Sequence, residues 1–329
     1  MIIKSVKLTN FRNHSEYILE CNGETSLILG KNGCGKTSVL EALYIAMQGK
    51  SFRAVDSEIL KRGKEFYRIE VEYTNGETVV VTYDGLVKNY LVMDKKTRRL
   101  PKKNKYPVVL FLPADLHLID SSPSRRREYF DRIFSQLNEK YGEAVSRYEK
   151  ALKQRNELLK TEMVDAASMC AWNILLARYG MEIARGRREF IAEINEHLTE
   201  VYRSIAKNND EVELVLDTQV EGGENEYLKR LEMNFERDKY VGHTGFGVHR
   251  DDLVFCFNGK EAEGSASRGE TRSIILALKF IEAEMIERET GRKPVVLLDD
   301  VFSELDETRR KCLVDNFKNN QVIITSVEV

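Results

Sequence analysis

The sequence predicts an α/β protein in which a nucleotide-binding type of sheet is interrupted by a long, mainly helical insertion. Three observations carry this. A short apolar strand at residues 25–29 runs into GKNGCGKT (30–37) and then into a helix at 38–47. Four apolar residues, 295–298, lead straight to Asp299-Asp300, as a buried parallel strand does when it delivers acids at its C-terminal edge. Between the two, from Arg125 to about Ala206, Gly and Pro almost vanish and apolar residues recur at three- and four-residue steps.

The elements follow in order. Residues 2–8 alternate and read as a strand, with a second at 15–21. Strands at 67–73 and 78–83 are joined by Asn75-Gly76, a hairpin signal. Strands at 88–93 and 106–112 flank the basic run KKTRRLPKKNK, which places Lys95, Lys96, Arg98, Arg99, Lys102, Lys103 and Lys105 at a hairpin tip. Phe130, Ile133, Phe134, Leu137, Tyr141, Val145, Tyr148 and Leu152 then form one helical stripe. After a break near 161–165 a second stripe runs from Trp172 to Tyr202, so two or three long antiparallel helices are expected. Strand texture returns at 212–216 and 252–257, with a Gly222-Gly223 turn and a helix at 224–237 between them. A helix at 270–289, the acidic strand, a helix at 306–318 and a strand at 322–325 follow. The expected division is 1–120 and 239–329 for the two parts of the nucleotide-binding head, with 121–238 as the helical insertion.

Bulk composition removes several function classes. The 329 residues suffice for one large domain or two ordinary ones. Net charge is −2 and the pI ≈ 6.3, so the chain lacks the footprint of a globally basic nucleic-acid binder. Charge is nevertheless uneven, since residues 88–132 hold twelve Lys or Arg against five Asp or Glu. The five cysteines (Cys21, Cys34, Cys170, Cys256 and Cys312) are odd in number and show no CxxC spacing, which argues against a disulfide framework and a zinc site. No apolar run approaches the roughly 18 residues of a membrane span, and no signal sequence is read at the start. A cytoplasmic protein without a membrane partner is expected.

The chemistry is concentrated in four motifs. In GKNGCGKT, Gly30, Lys31, Asn32, Gly33, Cys34 and Gly35 present inward-turned backbone N–H groups as an anion nest. Lys36 supplies a point charge for β- and γ-phosphates, and Thr37 a hydroxyl for Mg²⁺, at a helix N-terminus that favours negative charge. ATP and Mg²⁺ are therefore the expected cofactors. Asp299 is placed to hold the metal and Asp300 to orient or deprotonate an attacking water. Ser267-Arg268-Gly269-Glu270 reads locally as a helix N-cap with an acid in the first turn, and Ser303-Glu304-Leu305-Asp306 follows the acidic pair.

In this order the P-loop, SRGE, acidic strand and SELD resemble an ATP-binding-cassette ATPase. The segments LTNFRNH (8–14), KSFRAVDSEILKRG (50–63), VVLFLPADLHLIDSSPSRRREYFD (108–131), GVHRDDL (247–253) and SRGETRSIILALKFIE (267–282) narrow the resemblance to the RecF family, from residue 1 to about 326. The resemblance implies an ABC-type head, with a P-loop sheet, an antiparallel β subdomain and an inserted helical lobe or short arm. It implies a recombination mediator that dimerises on ATP, with Ser267 and Gly269 acting on the partner's nucleotide beside Lys36 and Asp300. Arg12 and Asn13 are expected either to flank the adenine or to serve a structural role at the end of the first strand. Expected partners are double-stranded or gapped DNA, contacted without sequence specificity, and RecR, RecO and RecA. Candidate DNA contacts are Arg98, Arg99, Lys102, Lys103, Lys105, Arg125, Arg126 and Arg127. The chain departs from the family pattern in SRGE for SQGQ, GVHRDD for GPHRDD and PADL for PEDL. Asp300 stands where cassette transporters place Glu, and Ser326 where they place a His, so slow, DNA-dependent hydrolysis is expected. A transporter subunit is disfavoured because Lys36 and Ser267 are 231 residues apart. A Rad50 or SMC-like head is the nearer rival, but the insertion leaves room for a short arm only.

Overall fold

The computed structural model describes residues 2–21, 23–93, 95–163 and 165–327. The chain forms two compact units, one of Met1–Asp115 with Ala283–Val329, the other of Leu116–Glu282. The first begins with β1 (Ile3–Phe11), β2 (His14–Glu20), β3 (Thr25–Leu29), α1 (Lys36–Gln48), α2 (Asp56–Ile59), β4 (Tyr67–Tyr73), β5 (Thr78–Tyr83), β6 (Lys88–Val92), β7 (Lys95–Thr97) and β8 (Val108–Phe111). The second holds α3 (Pro123–Leu137), α4 (Glu139–Leu159), α5 (Ala166–Ala206), β9 (Val212–Asp217), α6 (Glu224–Met233), α7 (Phe235–Val241), β10 (Asp252–Phe257), β11 (Lys260–Glu261) and most of α8 (Arg268–Thr290). β12 (Val295–Asp299), α9 (Glu307–Phe317) and β13 (Val322–Ser326) complete the first.

The first unit contains two sheets. One is antiparallel, in the order β2-β1-β4-β5-β6-β7, and the other parallel, in the order β3-β13-β12-β8. Alternation explains the antiparallel strands: Tyr67, Ile69, Val71 and Tyr73 of β4 are all buried while the residues between them are half-exposed. Continuous burial explains β12, where Val295 to Asp299 are all inside. Helix α1 packs against β1, β4 and β5 of one sheet and β8, β12 and β13 of the other. A helix covered on all sides must be apolar all round, and VLEALYIAM is, except at Glu41.

The basic run does not form a hairpin tip. β6 pairs with β7, whereas β8 pairs in parallel with β12, Val108 opposite Val295. The reason is burial: VVLF is apolar at every position and covered throughout, so it joins the parallel sheet. Lys102–Asn104 instead make one 3-10 turn in the crossover between the two sheets.

In the second unit α4 and α5, the latter 41 residues long, pack side by side, and α5 also carries β9 and α6. Residues 239–282 fall in this unit, where β10 pairs with β9 along its whole length. The helix expected over 224–237 is broken at Asn234 into α6 and α7. Arg155 lies at the centre with no exposure. Its guanidinium donates to Asn173 Oδ1, Asp238 Oδ2 and Thr244 Oγ1, each at 2.7 Å, tying α4 to α5 and α7. Arg155→Met strands the buried Asp238 carboxylate, so a loss of about 3–5 kcal/mol is expected. Urea unfolding followed by the single tryptophan, Trp172 on α5, checks this, and a loss below about 1 kcal/mol would show that the pair is dispensable.

Candidate functional site

The phosphate loop leaves β3 and turns twice through left-handed backbone, at Gly33 (φ 79°) and Gly35 (φ 101°). Only glycine adopts these angles without strain. Gly35 has a second reason: a Cβ there would sit 2.4 Å from His14 Nε2. His14 in turn meets Gly35 O at 3.1 Å, and Asn13 Nδ2 donates to Gly33 O at 3.2 Å, so the β1–β2 turn buttresses the loop. Lys36 is folded back onto its own loop, donating to Gly30 O at 2.6 Å and Lys31 O at 3.1 Å.

Strand register brings the acids to this loop. Asp299 of β12 stands opposite Thr325 of β13, which stands opposite Ile28 of β3, two residues before Gly30. Thr37 Oγ1 lies 2.9 Å from both Asp299 oxygens, and Thr325 Oγ1 donates to Asp299 Oδ1 at 2.8 Å. Asp300 leaves the strand in left-handed backbone (φ 49°) and its N–H donates to Thr325 Oγ1 at 2.9 Å. Its Oδ1 is buried and has no hydrogen-bond partner. An open cleft of ≈ 480 Å³ joins Lys36, Thr37, Asp299 and Asp300 to Arg12, Asn13 and Arg53.

Arg12 does more here than end a strand. Arg12 and Arg53 both grip Glu41 of α1 at 2.8 Å, and Ser51 Oγ donates to it at 2.7 Å. Burial alone would push the Glu41 carboxyl up, but these donors hold it below its ordinary value. Arg53, Ser51 and His14 were not singled out by sequence reasoning. One signal pointed to them: a lone acid in an otherwise apolar helix needs cationic partners brought to it.

At the start of α8, Ser267 N–H donates to Glu270 Oε2 at 2.6 Å, and Glu270 N–H reaches Ser267 Oγ at 3.4 Å. This reciprocal capping box explains an acid at position 270. Ser267 and Arg268 are exposed.

The HRDD segment is an interior clamp. Asp251 accepts from Arg187 at 2.7 Å and Thr218 at 2.5 Å, and Asp252 binds both ends of the Arg126 guanidinium, at 2.8 and 2.6 Å. Arg126 also donates to the carbonyls of Ile119 and Ser121, and is only 7% exposed. It is therefore withdrawn from the candidate DNA contacts: a buried guanidinium with four of its five N–H donors committed to protein acceptors is not placed to meet a phosphate. Arg127 is half-buried and donates to Asp251 O, while Arg125 stays nearer the surface, 3.5 Å from Glu128. His249 meets Tyr148 Oη at 2.7 Å and Thr244 O at 3.0 Å. Burial, and the charges of Arg250, Arg127 and Arg155, push it down to about 4.

His249 is thus neutral in the folded protein, whereas the unfolded chain takes up a proton below its ordinary value of 6.5. The His249 contribution to stability is full above that pH and is lost as pH drops from 6.5 toward 4. His249→Gln should flatten this part of the profile in urea titrations at several pH values; parallel profiles for the two proteins would refute it.

Comparison with known proteins gives consistent results. Residues 1–212 match the AAA ATPase domain family. The chain is 36% identical over 351 residues to the DNA replication and repair protein RecF of Clostridioides difficile (strain 630), covering 100% of this chain and 92% of that one. It is 32% identical over 343 residues to RecF of Alkaliphilus oremlandii (strain OhILAs), covering 99% and 93%. A solved structure of the recombination mediator protein RecF-ATP in the RecFOR pathway superposes with a TM-score of 0.86 at 30% identity, covering 100% of this chain and 92% of that one. An Smc head bound to the C-winged helix domain of ScpA superposes at 0.53 with 14% identity, over 100% of this chain and 90% of that one, which shows a shared fold. The fold is that of an α/β ATPase head of this type.

Proposed function

We propose that this chain, which belongs to the RecF family of DNA replication and repair proteins, is an ATP-timed clamp on DNA. The observation that carries this reading is the Thr37–Asp299–Thr325 network beside the phosphate loop, with the Asp300 carboxylate partnerless next to it. A hydroxyl and a carboxylate 2.9 Å apart suit a shared Mg²⁺, and Gly30–Thr37 suits a triphosphate. ATP supplies the cleavable phosphoryl bond and Mg²⁺ neutralises its oxygens.

The chain's own groups supply the rest. Lys36 exchanges the carbonyls of Gly30 and Lys31 for phosphate oxygens. The unsatisfied Asp300 oxygen orients the attacking water. Asp is one methylene shorter than Glu, and Ser326 cannot act as a base, so turnover is slow. Ser267 and Gly269, exposed and half-buried at the start of α8, complete the site of a second copy, and ATP holds two heads together. Arg98, Arg99, Lys102, Lys103, Lys105 and Arg125 contact DNA phosphates, which needs no base code. With RecO and RecR the clamp helps load RecA.

ATP-driven dimerisation, followed by light scattering, tests this. Wild type should double its mass on ATP while Lys36→Ala stays monomeric; wild type that remains monomeric with ATP would sink the clamp. Asp300→Asn should lower hydrolysis by about 10²-fold or more while the ATP-bound dimer persists. Equal rates for the two proteins would assign the water to another group.

A further inference from the structure

The first unit carries a second cleft, of ≈ 580 Å³, away from the phosphate loop. Glu24, Tyr106, Pro294 and Gln321 on its lining sit just before β3, β8, β12 and β13. All four strands are parallel, so the cleft lies at their N-terminal ends. Gly30, Asp299 and Asp300 lie at the opposite ends. Strands of four or five residues separate the two sites by about 15 Å.

Cations from three separate segments meet here. Lys103, Arg292 and Lys293 line the cleft, and all three are exposed. Lys50 follows α1, whose Gln48 side chain donates to Tyr106 O at 2.7 Å, and it is exposed too. Lys102 and Lys105 flank the same turn. Burial, then the like charges of Lys50 and Lys102, push the Lys105 ammonium below its ordinary value. On the lining itself three of these cations face two carboxylates, Glu24 and Glu77, while Lys50, Lys102 and Lys105 lie beside the cleft and add to its positive side. Exposed Asn75 and Asn319 add uncharged polar groups. Of the apolar lining residues, Val79, Tyr106, Pro294 and Val295 are buried, and Ile2 is 37% exposed.

We propose that this patch is a second nucleic-acid contact, one that grips the phosphate backbone whether or not nucleotide occupies the P-loop. Evenly spaced phosphates suit lysines and arginines on short loops and need no anchoring pocket. An acidic protein segment would need apolar pockets for its anchor side chains, and one exposed apolar side chain, Ile2, among buried ones does not make such a pocket. The inference rests on the DNA part of the proposed function, and it adds Lys50, Arg292 and Lys293 to that surface. Separation from Asp299 and Lys36 makes the contact compatible with nucleotide binding.

The test is binding of a short fluorescein-labelled duplex without nucleotide, by anisotropy over a salt series. Lys50→Glu with Arg292→Glu and Lys293→Glu should weaken binding at least about tenfold and make the log–log salt slope shallower by about 2–3. Binding of a fluorescent ATP analogue should be unchanged in the same variant. Should that variant fail to fold, the corresponding glutamine set is read in the same way, with a smaller loss expected. Affinity and slope equal to wild type would overturn the proposal. So would loss of nucleotide-free duplex binding in Lys36→Ala, or polyglutamate displacing the duplex as well as polyphosphate does. Failure of wild type to dimerise on ATP would remove the clamp and leave this contact standing, because nucleotide is absent from the measurement.

Discussion

The Asp299 carboxylate, held between Thr37 and Thr325, is the contact on which the nucleotide site depends. Each of its partners comes from a different strand or the helix after one. The contact therefore exists only if β3, β13 and β12 align in the observed register. A one-residue slip would turn Thr325 to the opposite face and withdraw its hydroxyl. Thr325 also accepts from Asp300 N–H, so the same threonine fixes both acids. The left-handed backbone at Asp300 then turns its side chain out of the strand line and into the cleft.

Arginine–carboxylate contacts hold each unit from within. Arg12 and Arg53 fasten the strand end and the loop after α1 to Glu41. Arg126 and Arg187 fasten α3 and α5 to Asp252 and Asp251, and Arg155 ties α4 to α7. Arginine suits such positions because its fork satisfies two or more acceptors at once. Losing one partner leaves a stranded charge, which makes these elements interdependent.

This use of arginine limits what the sequence reveals. The P-loop, the acidic strand and the helix after each were legible because their chemistry is local: glycines, an apolar run and an adjacent charge fix the outcome. The β4–β5 hairpin was legible for the same reason. The pairing of β8 was not, since an apolar four-residue strand reads alike in a hairpin and a parallel sheet, and only the distant β12 decides. Arg126 was misread because RRR at a helix start looks like a solvated face until Asp252, 126 residues away, is seen to neutralise it. Arg53 went unnoticed because its role is set by Glu41, across a turn that no pattern marks.

If strand register builds the site, removing the Thr325 hydroxyl without changing its shape should damage the metal-linked part of nucleotide binding and little else. The direct measurement is the affinity of Thr325→Val for a fluorescent ATP analogue, with and without Mg²⁺. The expected result is a loss of about tenfold with Mg²⁺, as one hydrogen bond to a charged group is worth about 1.5–3 kcal/mol, and a much smaller loss without it. Equal affinities for wild type and Thr325→Val in Mg²⁺ would contradict the claim that this carboxylate, so held, organises the nucleotide site.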